Sequence, residues 1–106
     1  MMAEVSVVLV TAGGEEQASL LAGKLVEEEL AACVNIIPRI RSVYRWKNEV
    51  CDEEEFLLVM KIRSSVFAKL QARIRELHTY EVPEIVRIPI AEGAPDYLDW
   101  VRDNSR

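Results

Sequence analysis

Between Leu30 and Arg63 the side chains alternate with a period of two. Val34, Ile36, Ile40, Tyr44 and Trp46 fall on one parity. Cys33, Asn35, Ile37, Arg39, Arg41, Val43, Arg45 and Lys47 fall on the other. Further on, Phe56, Leu58, Met60 and Ile62 alternate with Leu57, Val59 and Lys61. That period specifies strand rather than helix. Trp46-Lys47-Asn48-Glu49 lies between the two runs, and asparagine tolerates the positive φ of a tight hairpin turn. With Lys47 and Asn48 in the turn, Trp46 faces Glu49, Tyr44 faces Cys51 and Arg41 faces Glu54. A basic strand (Arg39, Arg41, Arg45, Lys47) then lies beside an acidic one (Asp52, Glu53, Glu54, Glu55), a pairing that penalises register slips. The half nearer the rest of the chain is apolar on both parities. A small chain cannot cover both faces of so long a ribbon, so a second copy of the chain is the expected partner.

The same reading places a first strand over residues 3–12, with Val5, Val7 and Leu9 on one side and Val8 and Val10 on the other. Gly13-Gly14 breaks it. Glu15 and Glu16 open a helix whose buried stripe is Ala18, Leu21, Ala22 and Leu25. Gly23 within that helix predicts close packing against a neighbour. Pro38 predicts a bulge in the second strand. Ser64 or Ser65 is expected to cap a second helix carrying Phe67, Leu70, Ile74 and Leu77 on its buried face. A strand over Glu84–Ile90 follows, with Pro89 placing it at an edge or strand end. A final helix spans Asp96–Arg102, with Pro95 at its first turn and Tyr97, Leu98 and Val101 docking it. The order β-α-β-β-α-β plus a short C-terminal helix is an α+β, ferredoxin-like pattern with a long β2–β3 hairpin. It forms one domain over residues 1–106.

Composition changes this picture little. Half of the 106 residues are apolar and charges are well mixed, which excludes a disordered chain. A net charge of −5 argues against sequence-independent nucleic-acid binding. Val5–Val10 is too short to span a bilayer and lacks a basic leader, so a cytoplasmic protein with no membrane partner is expected. Cys33 and Cys51 form no CxxC pair and sit far apart along the hairpin, so both are expected as reduced thiols.

Few residues carry chemistry. His78, the one histidine, precedes Tyr80, Glu81 and Glu84, and imidazole and carboxylate are ordinary ligands for zinc or copper. The competing role is a helix-terminal histidine beside the C-terminal dipole. Cys33 is either a soft ligand or a core thiol, and no local signature joins it to a base. Gly13-Gly14-Glu15-Glu16 lacks phosphate-loop spacing, and its carboxylates would repel an anion. Walker, HExxH, GxSxG and dinucleotide motifs are absent from the sequence. The acidic strand opposite cancels much of the basic-aromatic surface of Arg39, Arg41, Tyr44, Arg45 and Trp46. Tyr44 and Trp46 suit a subunit contact better.

Four patches in order carry a family resemblance. They are Leu30-Ala31-Ala32-Cys33-Val34-Asn35-Ile36-Ile37-Pro38, Ser42-Val43-Tyr44-x-Trp46, His78-x-Tyr80-Glu81-Val82-Pro83-Glu84-Ile85 and Tyr97-Leu98-x-Trp100. Together they resemble the divalent-cation tolerance protein family CutA over almost the whole chain. The resemblance implies a ferredoxin-like subunit in a stable homotrimer whose long hairpins pair between subunits, as in trimeric signalling proteins of the PII type. It implies tolerance to, and binding of, copper(II) or another divalent cation, and no established enzymatic activity. On this chain the implied metal ligands are His78, Glu81 and Cys33, with Tyr80 behind them. The copper-associated bacterial pattern has a cysteine where this chain has Val10 and a second histidine where it has Leu77. The usual proline after His78 is Thr79, and the usual hairpin glycine is Asn48. An alternative is a PII-like trimer binding a small metabolite in an intersubunit cleft lined by Tyr80, Glu81, Lys61 and Trp46. A scaffold without ligand is the third possibility.

Overall fold

A computed structural model of the chain describes residues 4–106. Position 3 of the expected first strand lies outside the described residues. Strand β1 (Val5–Ala12) leads into helix α1 (Glu15–Glu27), then strands β2 (Cys33–Trp46) and β3 (Glu49–Arg63). A 3-10 turn (Ser64–Val66) precedes helix α2 (Phe67–Leu77), strand β4 (Ile85–Pro89) and helix α3 (Pro95–Asn104). The sheet order is β2-β3-β1-β4 with every pairing antiparallel, the ferredoxin-like arrangement.

Alternation sorts the sheet into two faces. Val8, Val10, Leu58, Met60 and Ile62 are fully buried with Leu21 and Leu25 of α1 and Leu70 and Ile74 of α2. The other face carries Val7, Leu9, Leu57, Val59, Val86 and Ile88, which the register sets side by side. Only its far end is covered, where Val101 of α3 closes over Val5 and Ala32. Val86 and Ile88 stay 47% and 45% exposed, so this apolar face is left open within one chain. Among the described residues no helix is long and apolar enough to cross a membrane.

The hairpin turn takes the expected form. Lys47 and Asn48 both have positive φ, at 48° and 67°, as a two-residue type I′ turn requires. Trp46 pairs with Glu49, Tyr44 with Cys51 and Arg41 with Glu54. The Arg41 guanidinium, however, donates diagonally to Asp52, at 2.9 and 2.6 Å, and that contact holds the Asp52 carboxyl below its ordinary range. β1 ends opposite Phe56, so the outer part of the hairpin pairs only with itself. Two-stranded ribbons are marginal alone. This arm stretches the molecule to 43 Å and leaves Val43 and Val50 61% and 66% exposed.

Pro38 and Arg39 form the expected bulge: the register jumps between Ile37 and Ile40, and Arg39 adopts φ 56°. The consequence is a change of face. Before the bulge Val34 and Ile36 pair with Met60 and Leu58 on the helix side. After it, Ile40, Tyr44 and Trp46 pair with Glu55, Cys51 and Glu49 on the open side. One sequence parity is therefore split between two surfaces.

Three local expectations change. Neither Ser64 nor Ser65 caps α2; the Ser64 hydroxyl lies 2.6 Å from that of Ser6 instead. Tyr97 does not dock α3; it stays exposed beside Trp100, while Leu98 and Val101 do the packing. Gly23 is not closely packed, because a Cβ there would meet nothing within 4 Å. Gly23→Ala should therefore stabilise the protein by about 0.5–1 kcal/mol through backbone entropy, read as a higher denaturation midpoint with unchanged slope.

Candidate functional site

A cleft of about 840 Å³ opens where the arm curls past the segment after α2. Leu9, Thr11, Leu57 and Glu55 line its base, residues 40–44 and Trp46, with Arg41 among them, one wall, and residues 79–82 with Glu84 the other. The bulge makes this possible, since without its change of face Tyr44 and Trp46 would lie on the helix side of the sheet.

His78 fixes the second wall. It leaves α2 in extended conformation. Its Nε2–H donates to the Thr11 carbonyl at 2.7 Å, and its Nδ1 accepts the Tyr80 backbone N–H at 3.0 Å. Those bonds specify the tautomer with the proton on Nε2. The ring packs 4.7 Å from that of Tyr80, centroid to centroid. The Tyr80 hydroxyl then donates to Glu55 Oε2 at 2.6 Å. Burial, and after it the Glu55 hydrogen bond, raise the Tyr80 phenol above its ordinary range. Gly13 explains itself here: a Cβ at that position would come within 3.1 Å of the Tyr80 hydroxyl. The strand-end glycine makes room for a tyrosine rather than for a phosphate.

Glu55 is the unusual group. It is 6% exposed, yet Tyr80 is the one side chain bonded to it, and no cation pairs with it among the described residues. Glu84 stands near enough to feel it. Desolvation first, and then the Glu55 charge, push the Glu84 carboxyl up from 4.5. At the mouth, Lys47 Nζ sits 5.6 Å from the Trp46 ring centroid and 3.8 Å from Glu81 Oε2, tying the arm tip to the 79–84 segment. Tyr44 donates to Glu53 at 2.9 Å, and that bond pushes its phenol up to about 12.

The Glu84 shift has a definite sign. The folded state holds this proton more tightly than the unfolded one, so ionisation costs stability. Its penalty is absent below about pH 4.5, grows as pH rises and is complete above the folded-state pKa. Glu84→Gln should leave stability unchanged at low pH and raise it at neutral pH, in denaturation curves taken across roughly pH 4 to 8.

Within one chain the expected metal ligands do not come together. Both His78 ring nitrogens are occupied. Glu81 is exposed at the mouth and paired with Lys47. Cys33 lies opposite Lys61, which pairs with Val7, four residues along β1 from Thr11, or roughly 13 Å at strand rise. Among the described residues no three His, Cys, Asp or Glu side chains are placed to hold a metal ion. Val10 and Leu77 belong to the helix-side core, where neither points at the cleft. Of the expected metabolite-binding residues, Tyr80, Glu81 and Trp46 line the cleft. Lys61 does not; it bonds to Asn35 beside Cys33. Sequence reasoning missed Glu55 as a site residue. Its signal was an acidic residue next to a bulge, on the open-face parity.

Comparison with known proteins places this arrangement. The family model described as CutA1 divalent ion tolerance protein matches residues 6–104. The chain is 54% identical over 99 residues to the divalent-cation tolerance protein CutA of Thermus thermophilus, covering 93% of this chain and 96% of that protein. It is 42% identical over 98 residues to human protein CutA, covering 92% of this chain and 55% of that protein, so it spans about half the human relative. Among solved structures, that of the Thermus thermophilus divalent cation tolerance protein superposes with a TM-score of 0.94 at 52% identity, over 96% of this chain and 99% of that one. The structure of CutA1 from Oryza sativa gives 0.94 at 40% identity, over 99% and 96%.

Proposed function

The chain belongs to the CutA1 divalent ion tolerance family, and from that premise we propose that it is a non-enzymatic homotrimer that binds a divalent cation at Glu55 in the cleft. The observation that carries this reading is a glutamate 6% exposed whose carboxylate has one side-chain hydrogen bond and no ion pair among the described residues. Buried charges are ordinarily paired or bound to metal. Glu84 lines the same cleft and adds a second carboxylate near Glu55. The donors are oxygens, which suit hard or borderline divalent ions. Water, or a neighbouring subunit, would complete the coordination. The family description as tolerance proteins supports a binding role rather than catalysis.

Two surfaces support self-association. The open sheet face is apolar across Val7, Leu9, Val59, Val86 and Ile88. The arm exposes Val43, Val50, Tyr44 and Trp46 on a ribbon with no other support. Light scattering should give three times the chain mass.

Calorimetric titration with copper(II) and manganese(II) tests the cation site. Wild type should bind, and Glu55→Gln should weaken binding at least about tenfold by removing a charged ligand. Binding unchanged in Glu55→Gln would sink this assignment. Binding lost only in His78→Ala would return the site to the histidine.

A further inference from the structure

A second cleft, of about 490 Å³, lies at the opposite end of the molecule and is lined by Arg63, Ser65, Val66, Lys69, Arg102, Asp103 and Arg106. Four cations and one acid line it, in a chain whose overall charge is −5; Glu4, Asp99 and Glu29 reach Arg102 and Arg106 from outside the lining, which leaves Arg63 and Lys69 as the cations without a carboxylate partner among the described residues. We propose that this cleft is a binding site for a small, multiply phosphorylated anion, independent of the cation site in the first cleft.

The three arginines are held in place. Arg63 donates through Nε and Nη2 to the Arg102 carbonyl, at 3.2 and 2.7 Å, and pairs with no carboxylate among the described residues. Its remaining nitrogen is uncommitted. Lys69 has no ion pair among the described residues. Arg102 is braced by Asp99 and by Glu4, the latter at 3.4 Å. Arg106 spends Nε on the Asp103 carbonyl and on a long 4.0 Å contact with Glu29. Guanidinium groups fixed by carbonyls and still carrying free N–H donors lose little entropy on meeting an anion. Ser65 and Val66, from the 3-10 turn that precedes α2, line the same wall.

The walls also say what the anion carries. Val66 is the one wholly apolar lining residue, and no aromatic side chain is present to stack on a base. Recognition therefore rests on charge, which favours phosphate oxygens over a nucleoside or an acyl chain. The volume exceeds what a single phosphate fills.

The test is calorimetric titration of the full chain with inorganic pyrophosphate and with orthophosphate, in buffer containing a chelator so that no metal bridges the ligand to Glu55. Pyrophosphate should bind at least about tenfold more tightly than orthophosphate. Lys69→Gln and Arg106→Gln should each weaken it about fivefold or more, as expected for loss of one charge-assisted contact. Both are surface side chains, so folding is not at stake. Lys24→Gln, a surface charge away from the cleft, should change nothing. The proposal fails if wild type gives no saturable binding, if the two cleft variants bind like wild type, or if Lys24→Gln weakens binding as much as they do. Equal affinity for the two anions would overturn the multiple-phosphate assignment.

Discussion

Replacing His78 with alanine is expected to destabilise the protein by about 2–4 kcal/mol. The ring makes two hydrogen bonds, each with a net contribution of about 1 kcal/mol. Its loss also strands the Thr11 carbonyl, on a residue only 9% exposed, and an unsatisfied buried acceptor raises the cost of that one bond to about 1–3 kcal/mol. Tyr80 loses its stacking partner and its backbone acceptor together. Urea denaturation should show the midpoint fall. A metal-ligating histidine would behave in the opposite way, leaving the metal-free protein nearly as stable and changing affinity alone. Unchanged stability in the metal-free variant would show that the two bonds are not made in solution.

Leu58→Ala should cost about 3 kcal/mol, within the range for deleting a buried leucine and leaving a cavity. Leu58 is fully buried on β3, paired with Val10 on one side and Ile36 on the other, beneath the two main helices. Its neighbours belong to a sheet held by three ladders and cannot collapse into the space. The same truncation at Val43, on the exposed arm, removes little burial within one chain. In a trimer that buries the arm, the Val43→Ala cost would rise and would depend on protein concentration. Equilibrium denaturation of both variants at two concentrations separates those contributions.

The hairpin was legible because its information is local. A period of two, one turn asparagine and a basic strand beside an acidic one determine which residues meet, and Trp46, Tyr44 and Arg41 find the partners expected of them. The helices were legible for the same reason: Ala18, Leu21 and Leu25, or Leu70 and Ile74, repeat at helical spacing and are buried. The cleft was not legible, because contacts far apart in sequence make it. His78 meets Thr11 across 67 positions, and Tyr80 meets Glu55 across 25. Glu55 read as one more residue of a solvated acidic strand, although a loop after α2 covers it. Pro38 announced a bulge, but sequence alone did not say that the bulge would carry Tyr44 and Trp46 to the opposite face. Ser64 had cap chemistry, and a neighbouring strand's Ser6 took its hydroxyl instead. Gly23 had no packing reason at all.

Cation binding at Glu55 is tested most directly by locating the ion. Crystals soaked in manganese(II) or copper(II) should show an anomalous peak within coordination distance of a Glu55 carboxylate oxygen, with Glu84 turned toward it and His78 still bonded to the Thr11 carbonyl. A peak on His78, with its ring rotated away from Thr11, would contradict that placement. Crystals with no peak in the cleft at saturating metal would contradict it as well.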